Sequence, residues 1–280
     1  METNKRGWLS KWSEGEDEII RQYYPQNGWQ KVQQMLPDRN ERSIKARASK
    51  LKVKYLQYNK DYFEDINTKS KAYWLGFLYA DGYVSTGDRW GLELQLADKH
   101  HMQNFISDFD CNINIRERTR EGHSFCGFII KNPKMYNDLV NHGVVPNKTH
   151  CLEFPSNDIL NSEYVSHFIR GFFDGDGCIY YEKYLRTKNN WKTSFYSMRK
   201  EVSIVCKSEG FLDCIINELT RNNIKSKKYY NPKDGLPTLR ISDYENILKF
   251  YEYIYKDSTE MNRLGRKYNK FNELIATINQ

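Results

Sequence analysis

The sequence predicts an α+β protein in which two pseudo-twofold related α-β-β-α-β-β-α repeats follow a small three-helix segment. Three observations predict it. The stretch "WLGFLYADG", Trp74 to Gly82, ends an apolar run on an acid and a glycine, and ninety-five positions later "IRGFFDGDG", Ile169 to Gly177, does so again. After each copy the same order of strand-like and helix-like periodicities returns. The first sixty residues instead carry helical patterning and a separate excess of positive charge. The expected boundaries are residues 1–56 for the helical domain, 57–70 for a linker, 71–159 for the first repeat and 160–280 for the second.

With 280 residues, 39% hydrophobic and 15% aromatic, the chain can bury a sizeable core. No stretch approaches the ~18 consecutive apolar residues that would span a bilayer, and the N-terminus lacks an apolar leader core. Six cysteines form no CxxC pair and six histidines no zinc-like grouping, which points to a reducing, cytoplasmic setting without structural zinc. The net charge of +7 is uneven. Residues 1–60 hold thirteen Lys or Arg against seven Asp or Glu, and from Arg39 to Lys54 there are seven basic residues and one acid, Glu41. A local basic face gains affinity for a polyanion by releasing counterions from phosphates, so nucleic acid is the expected partner.

The elements of the first segment follow in order. Ser13 followed three residues later by Glu16 is a capping-box pattern that starts a helix, and Pro25 with "QNG" is expected to end it. A second short helix fits "WQKVQQML" up to Pro37. A third fits Glu41 to Lys52, with Ile44, Ala48 and Leu51 on one face and Arg42, Lys45, Arg47, Lys50 and Lys52 elsewhere. Trp12 and Trp29 are expected in the core. In its spaced tryptophans, "EDEII" and "RSIKARASKLKV", this segment resembles the Myb/SANT-like helix-turn-helix family. The resemblance implies that the third helix enters a major groove, with Arg42, Lys45, Arg47 and Lys50 as DNA contacts.

In the first repeat "YVSTG" and "WGLELQLA" read as strands, "DKHHMQNFISDF" as a helix, "NINIRERT" and "FCGFIIK" as strands and "PKMYNDLVNHG" as a helix. The second repeat runs "CIYYEKYL", "KEVSIVCK", "EGFLDCIINELTRNN", "KSKKYYN", "LPTLRIS" and "YENILKFYEYIY" in the same order. Basic residues alternate along the strands: Arg116, Arg118 and Arg120 in the first repeat, Lys225, Lys227 and Lys228 in the second. One face of each sheet is therefore expected to be basic and suited to phosphates and base edges.

Gly76 and Ala80 in the first copy, and Gly171 and Gly175 in the second, are small residues four apart that let two helices approach closely. The two motif helices should pack together and end side by side, with Asp81 and Asp176 at the ends and Gly82 and Gly177 as left-handed caps. A carboxylate at a helix C-terminus meets the negative end of the dipole, unfavourable by ~0.3–1 kcal/mol, and two close together also repel. Divalent cations reverse both effects. An oxygen donor set without nearby His or Cys favours Mg²⁺ over zinc, and such a site activates water for phosphodiester hydrolysis.

These stretches resemble the signature of the LAGLIDADG homing endonucleases, supported by "VPNKTHCLEFP" leading into the second motif and by the later "LGRKYNKF". The resemblance spans about residues 62 to 275. It implies motif helices at the interface, two sheets forming a saddle over a long double-stranded DNA target, and two or three divalent ions, Mg²⁺, bound with the DNA by Asp81 and Asp176 together with the carbonyls of Gly82 and Gly177. It further implies a monomer that cuts both strands across the minor groove. Gln95, Lys131 and Lys207 fall where relatives place polar groups that organise active-site water, with Arg240 a further counterpart of the second half. Asp174 stands where the first motif has Tyr79 and is not carried over as a ligand; His100 and His101 read as surface residues at a helix start. The alternatives are a non-catalytic DNA-binding regulator of the same fold and an intron RNA maturase.

Overall fold

The computed structural model describes residues 11–146, 148, 151–187 and 194–278. The chain divides into two compact units, Met1–Tyr58 with Cys111–Ile113, and Asn59–Asp110 with Asn114–Gln280. Among the described residues no helix is long and apolar enough to cross a membrane.

In the first unit, α1 (Glu14–Met35) starts at the expected capping box, with Ser13 and Glu16 bonding each other's backbone. The helix runs past Pro25 and breaks at Gly28, whose φ of +67 is left-handed, so the two expected helices are the two arms of one kinked element. The third expected helix is α2 (Glu41–Lys50), capped by the Asn40 side chain on the Ser43 amide. Ile20, Val32, Ile44 and Ala48 form the buried centre, with Trp12 and Trp29 partly buried against it.

The second unit opens on residues expected to be a linker, and here the expectation is corrected. Tyr62, Phe63 and Ile66 are buried: Phe63 packs edge-on to Trp90 and Phe105, and the Tyr62 hydroxyl donates to Asp108. Three apolar side chains among charged neighbours in "YFEDIN" suffice to hold this stretch on the core.

Each repeat then contains the seven expected elements. The first comprises α3 (Lys69–Ala80), β1 (Gly82–Ser85), β2 (Arg89–Gln95), α4 (Lys99–Asp108), β3 (Arg116–Arg120), β4 (His123–Lys131) and α5 (Pro133–Asn141). The second comprises α6 (Val165–Asp176), β5 (Gly177–Thr187), β6 (Ser194–Val205), α7 (Glu209–Arg221), β7 (Lys227–Tyr230), β8 (Pro237–Ile241) and α8 (Tyr244–Tyr255), followed by α9 (Gly265–Ile278). Both antiparallel sheets have the same order, β1-β2-β4-β3 and β5-β6-β8-β7. Alternation places Trp90, Leu92, Phe128 and Ile130 on the face covered by helices in the first sheet, and Ile179, Val202, Leu239 and Ile241 in the second.

α3 and α6 lie at the centre, and α3 is apolar almost all round. A Cβ on Gly76 would lie 2.0 Å from the Phe168 carbonyl oxygen, and one on Gly171 would lie 1.9 Å from that of Tyr73, so each glycine admits the other helix's backbone. Gly76→Ala is accordingly expected to destabilise the second unit by about 3 kcal/mol or more in urea unfolding, because backbone rather than a movable side chain blocks the methyl. Gly210→Ala, where a Cβ meets nothing within 4 Å, is the control and should lose no stability.

Candidate active site

The two motif helices stay in close contact as far as their ends. A Cβ on Gly175 would lie 2.3 Å from the Cβ of Ala80 and 3.1 Å from Oδ2 of Asp81, so the first acid lies against the last turn of α6, one residue from the second acid. Asp81 is the C-cap of α3 and half-buried; Asp176 ends α6 and keeps one side open to solvent. Removal from water, and then the neighbouring Asp176 charge, push the Asp81 carboxyl up to about 6. Desolvation also raises Asp176.

The glycines after the acids do not take left-handed caps, which corrects the expectation: Gly177 is extended (φ −74, ψ 158), and Gly82 is absent from the positive-φ residues. They are needed for space. A Cβ on Gly82 would lie 2.5 Å from Leu78 Cδ2, and one on Gly177 would lie 2.1 Å from Phe173 Cδ2, as each strand turns back over its own helix.

Two lysines that sequence reasoning passed over complete the cluster. Lys148 donates through Nζ to the carbonyls of Leu78 and Gly82, each at 2.5 Å. Lys267, in the first turn of α9, donates to Phe173 at 2.7 Å and Gly175 at 3.0 Å. One lysine therefore closes the carbonyl end of each motif helix, where a cation complements the dipole. Burial pushes both amines down to about 8, against the pull of Asp176 and Asp81 on Lys148 and of Asp174, then Asp81 and Asp176, on Lys267, which favour the charged form. The cluster is two carboxylates and two amines with perturbed affinities for protons, in one place, contributed by both repeats.

Gln95 and Lys207 occupy equivalent positions. Gly82 pairs with Leu92 and Gly177 with Ile204, and the two residues lie three further along, exposed, at the acid end of their sheets. Lys131 does not join them. It pairs with Arg89, itself opposite Ser85, at the end of the sheet away from Asp81. The lysine of the first repeat that reaches the acids is Lys148. Arg240 lies along β8 beside Ser203 and Lys227 and forms an ion pair with Glu201 at 3.7 Å.

Arg116, Arg118 and Arg120 share one exposed face of β3 with Gln95 and Lys131, opposite the apolar face. Lys225 and Lys227 are also exposed, whereas Lys228 falls on the helix side, in register with buried Leu239, and is held by Glu209 and Asp213 at 2.7 Å each. In the first unit Arg42, Lys45 and Lys50 are exposed on α2. Arg47 forms a bidentate pair with Asp17 that ties α2 to α1, so its fork serves the fold.

His101 is buried rather than a surface residue. Its Nε2 meets the Tyr73 hydroxyl at 2.8 Å, its ring packs on Trp74, and burial lowers its pKa to about 3. Asp174 is fully buried and belongs to the same polar network.

Among the described residues no group of three or more His, Cys, Asp or Glu side chains is gathered as a metal cage. Two carboxylates still suit a hard cation such as Mg²⁺, which keeps several waters and takes its other ligands from substrate phosphates, whereas the Gly82 carbonyl, expected as a ligand, already accepts Lys148 Nζ. The donor chemistry fits the expected group.

The same architecture is found in solved structures. The I-LtrWI LAGLIDADG homing endonuclease bound to target DNA matches with TM-score 0.52 at 11% identity, over 79% of this chain and 92% of that one. The I-SmaMI LAGLIDADG homing endonuclease bound to cleaved DNA gives 0.52 at 10% identity, over 74% and 87%. The LAGLIDADG meganuclease I-AabMI bound to uncleaved DNA gives 0.50 at 10% identity, over 75% and 90%. No curated protein matches the chain. Residues 163–255 match the family model of the LAGLIDADG-like domain. The protein thus has the fold of the LAGLIDADG homing endonucleases, and its second repeat carries a LAGLIDADG-like domain.

Proposed function

We propose that the protein is a site-specific, Mg²⁺-dependent double-strand DNA endonuclease acting as a monomer. The observation that carries this reading is the pair of acids, one from each repeat, brought together at the ends of glycine-packed helices with a lysine at each end. A fold gains nothing from two carboxylates at two helix C-termini, so a ligand that rewards them is the economical explanation.

In this reading Asp81 and Asp176 hold the cation. Mg²⁺ bound there stabilises the negative charge that develops on phosphate oxygens and lowers the pKa of water. Lys148 and Lys267, near 8, keep a proton on Nζ at neutral pH and can exchange it within about a unit of that value, as general acid–base chemistry requires. Gln95 and Lys207 orient water or phosphate at the same end of the sheets. Arg116, Arg118, Arg120, Lys225 and Lys227 bind the duplex from the exposed sheet faces.

A plasmid library with a randomised duplex insert, treated with protein and Mg²⁺, tests the reading: linear products should appear and converge on one sequence. Binding with no cleavage in Mg²⁺ or Mn²⁺ would favour the non-catalytic regulator instead.

The helix-turn-helix unit adds binding surface in this proposal, through Arg42, Lys45 and Lys50. Replacing all three by Gln should weaken binding to the recovered sequence and flatten its salt dependence, by about 0.9 in log–log slope for each phosphate that is no longer neutralised. Cleavage at saturating protein should be retained. A salt slope equal to wild type would leave these residues as a solvated helix face.

A further inference from the structure

The residue two positions before each motif acid is Tyr79 in the first repeat and Asp174 in the second. Neither has a part in the chemistry above, and both are buried. Their contacts correspond although their chemistry differs. Tyr79 donates its hydroxyl to the carbonyl of His142 at 2.5 Å, where α5 ends and the segment leading to Lys148 begins. The fit there is close: Gly143 has φ +92, and a Cβ on it would lie 2.0 Å from that hydroxyl. Asp174 accepts from the Tyr255 hydroxyl at 2.5 Å, at the last residue of α8, and from the Leu264 amide at 2.8 Å. Leu264 in turn accepts the backbone amide of Lys267 at 3.0 Å. A third bond to Asp174 comes from Tyr73 on the opposite motif helix at 2.9 Å.

We infer that Tyr79 and Asp174 are positioning residues, each fixing the chain segment that delivers one lysine to the carbonyl end of one motif helix. Each lysine segment thereby has its own anchor, although the Tyr73 bond also ties Asp174 to the first motif helix. For its effect on cutting, the inference rests on the nuclease reading; the contacts themselves do not. A duplex offers one scissile phosphate per strand, so damage to one segment should fall on one strand. Displacement of a reacting group by a fraction of an ångström is enough to slow its step.

Asp174→Asn keeps size, but one oxygen cannot accept from three donors, and its amide meets donors where an acceptor is needed. On a plasmid carrying the recovered sequence, with each strand end-labelled, it should slow one strand by about ten- to a hundredfold. Lys267→Met should slow the same strand, and the double variant should be no slower than Lys267→Met alone. Tyr79→Phe, which removes only a hydroxyl, should slow the other strand, together with Lys148→Met. Independently of activity, hydrogen exchange at the Leu264 amide should accelerate in Asp174→Asn. Equal slowing of both strands, multiplying losses with Lys267→Met, or unchanged exchange at Leu264 would overturn the inference. If Asp174→Asn does not fold, the Tyr79→Phe strand bias decides. If the wild type cuts neither strand, the nuclease reading fails by itself and the Leu264 exchange still decides the contact.

Discussion

Replacing Asp81 or Asp176 by Asn is expected to abolish double-strand cleavage while leaving the protein at least as stable in the absence of metal. Each substitution keeps the side-chain volume and removes one of the two charges available to a cation. Stabilisation of phosphate charge by a bound metal amounts to several kcal/mol, so a loss of about a thousandfold or more in rate is expected. The same change relieves an unfavourable end-of-helix charge and its repulsion from the other acid. A carboxylate that merely capped a turn would show the opposite pattern, with a lower melting temperature and intact cutting. Linear product formed by both variants at the wild-type rate would remove the main support for the nuclease reading.

The stability side has a pH signature that can be read in EDTA. The Asp81 pKa is raised in the folded state from 3.8 to about 6, so the folded protein binds the proton more tightly than the unfolded chain. Below about pH 4 both states are protonated and the group has no effect. As pH rises to about 6 wild type loses stability, and above that the loss is constant. Two pKa units correspond to nearly 3 kcal/mol; because Asp81 is only half-buried, about 1–2 kcal/mol is the expected size. The stability of Asp81→Asn minus that of wild type should therefore grow between pH 4 and 6 and then level off. A difference independent of pH across that window would show that the acid is not strained in the fold.

The acids were legible because their signal is local and repeated: an apolar run, small residues four apart, an acid, a glycine, twice. Element order was legible for the same reason, since the 3.6 and 2 periodicities of each repeat are clear and "YENILKFYEYIY" coincides with α8. The lysines were not. Lys148 lies in "VPNKTH" and Lys267 in "LGRKYNKF", where a basic residue reads as solvated surface, and nothing in local periodicity tells that Nζ turns back to a helix end 66 to 92 residues away in sequence. The available signal was that each follows the last α-helix of its repeat and lies in a segment singled out as a family mark. The resemblance places Lys131, at the end of a strand, among the groups that organise active-site water, but antiparallel register, which fixes which end faces the acids, is a property of pairing and is invisible in one strand. His101 was missed because its polar partner, Tyr73, belongs to an otherwise apolar helix. Arg47 and Lys228 looked like their basic neighbours, and only the fold reveals that acids on other elements hold them.

Replacing Lys148 and Lys267 together by Met should also eliminate cleavage, but with a different thermodynamic trace. General acid–base contributions run to about 10²–10⁴-fold for a positioned group, and each lysine alone should cost a rate factor in that range. On the stability side two effects oppose. Met leaves the carbonyls of Gly82 and Gly175 without their lysine donors, a loss of about 1–3 kcal/mol for each that stays dry, whereas those of Leu78 and Phe173 keep the amides of Asp81 and Gly177. It also relieves the desolvation that pushes both amines down to about 8, an effect of similar size. The net change in urea unfolding at pH 7 should therefore be small for a buried double substitution. The acids, however, lose the two cations that lower their pKa, so Asp81 and Asp176 should bind protons more tightly still. Against this background Asp81→Asn should stabilise the lysine-free protein more than it stabilises wild type, and a double-mutant cycle in EDTA measures the difference. If the Asp81→Asn increment is the same in both backgrounds, the lysines and acids do not share a field, and the four-residue cluster is two unrelated pairs. Cleavage by the double Met variant at the wild-type rate would reduce the lysines to caps of the motif helices.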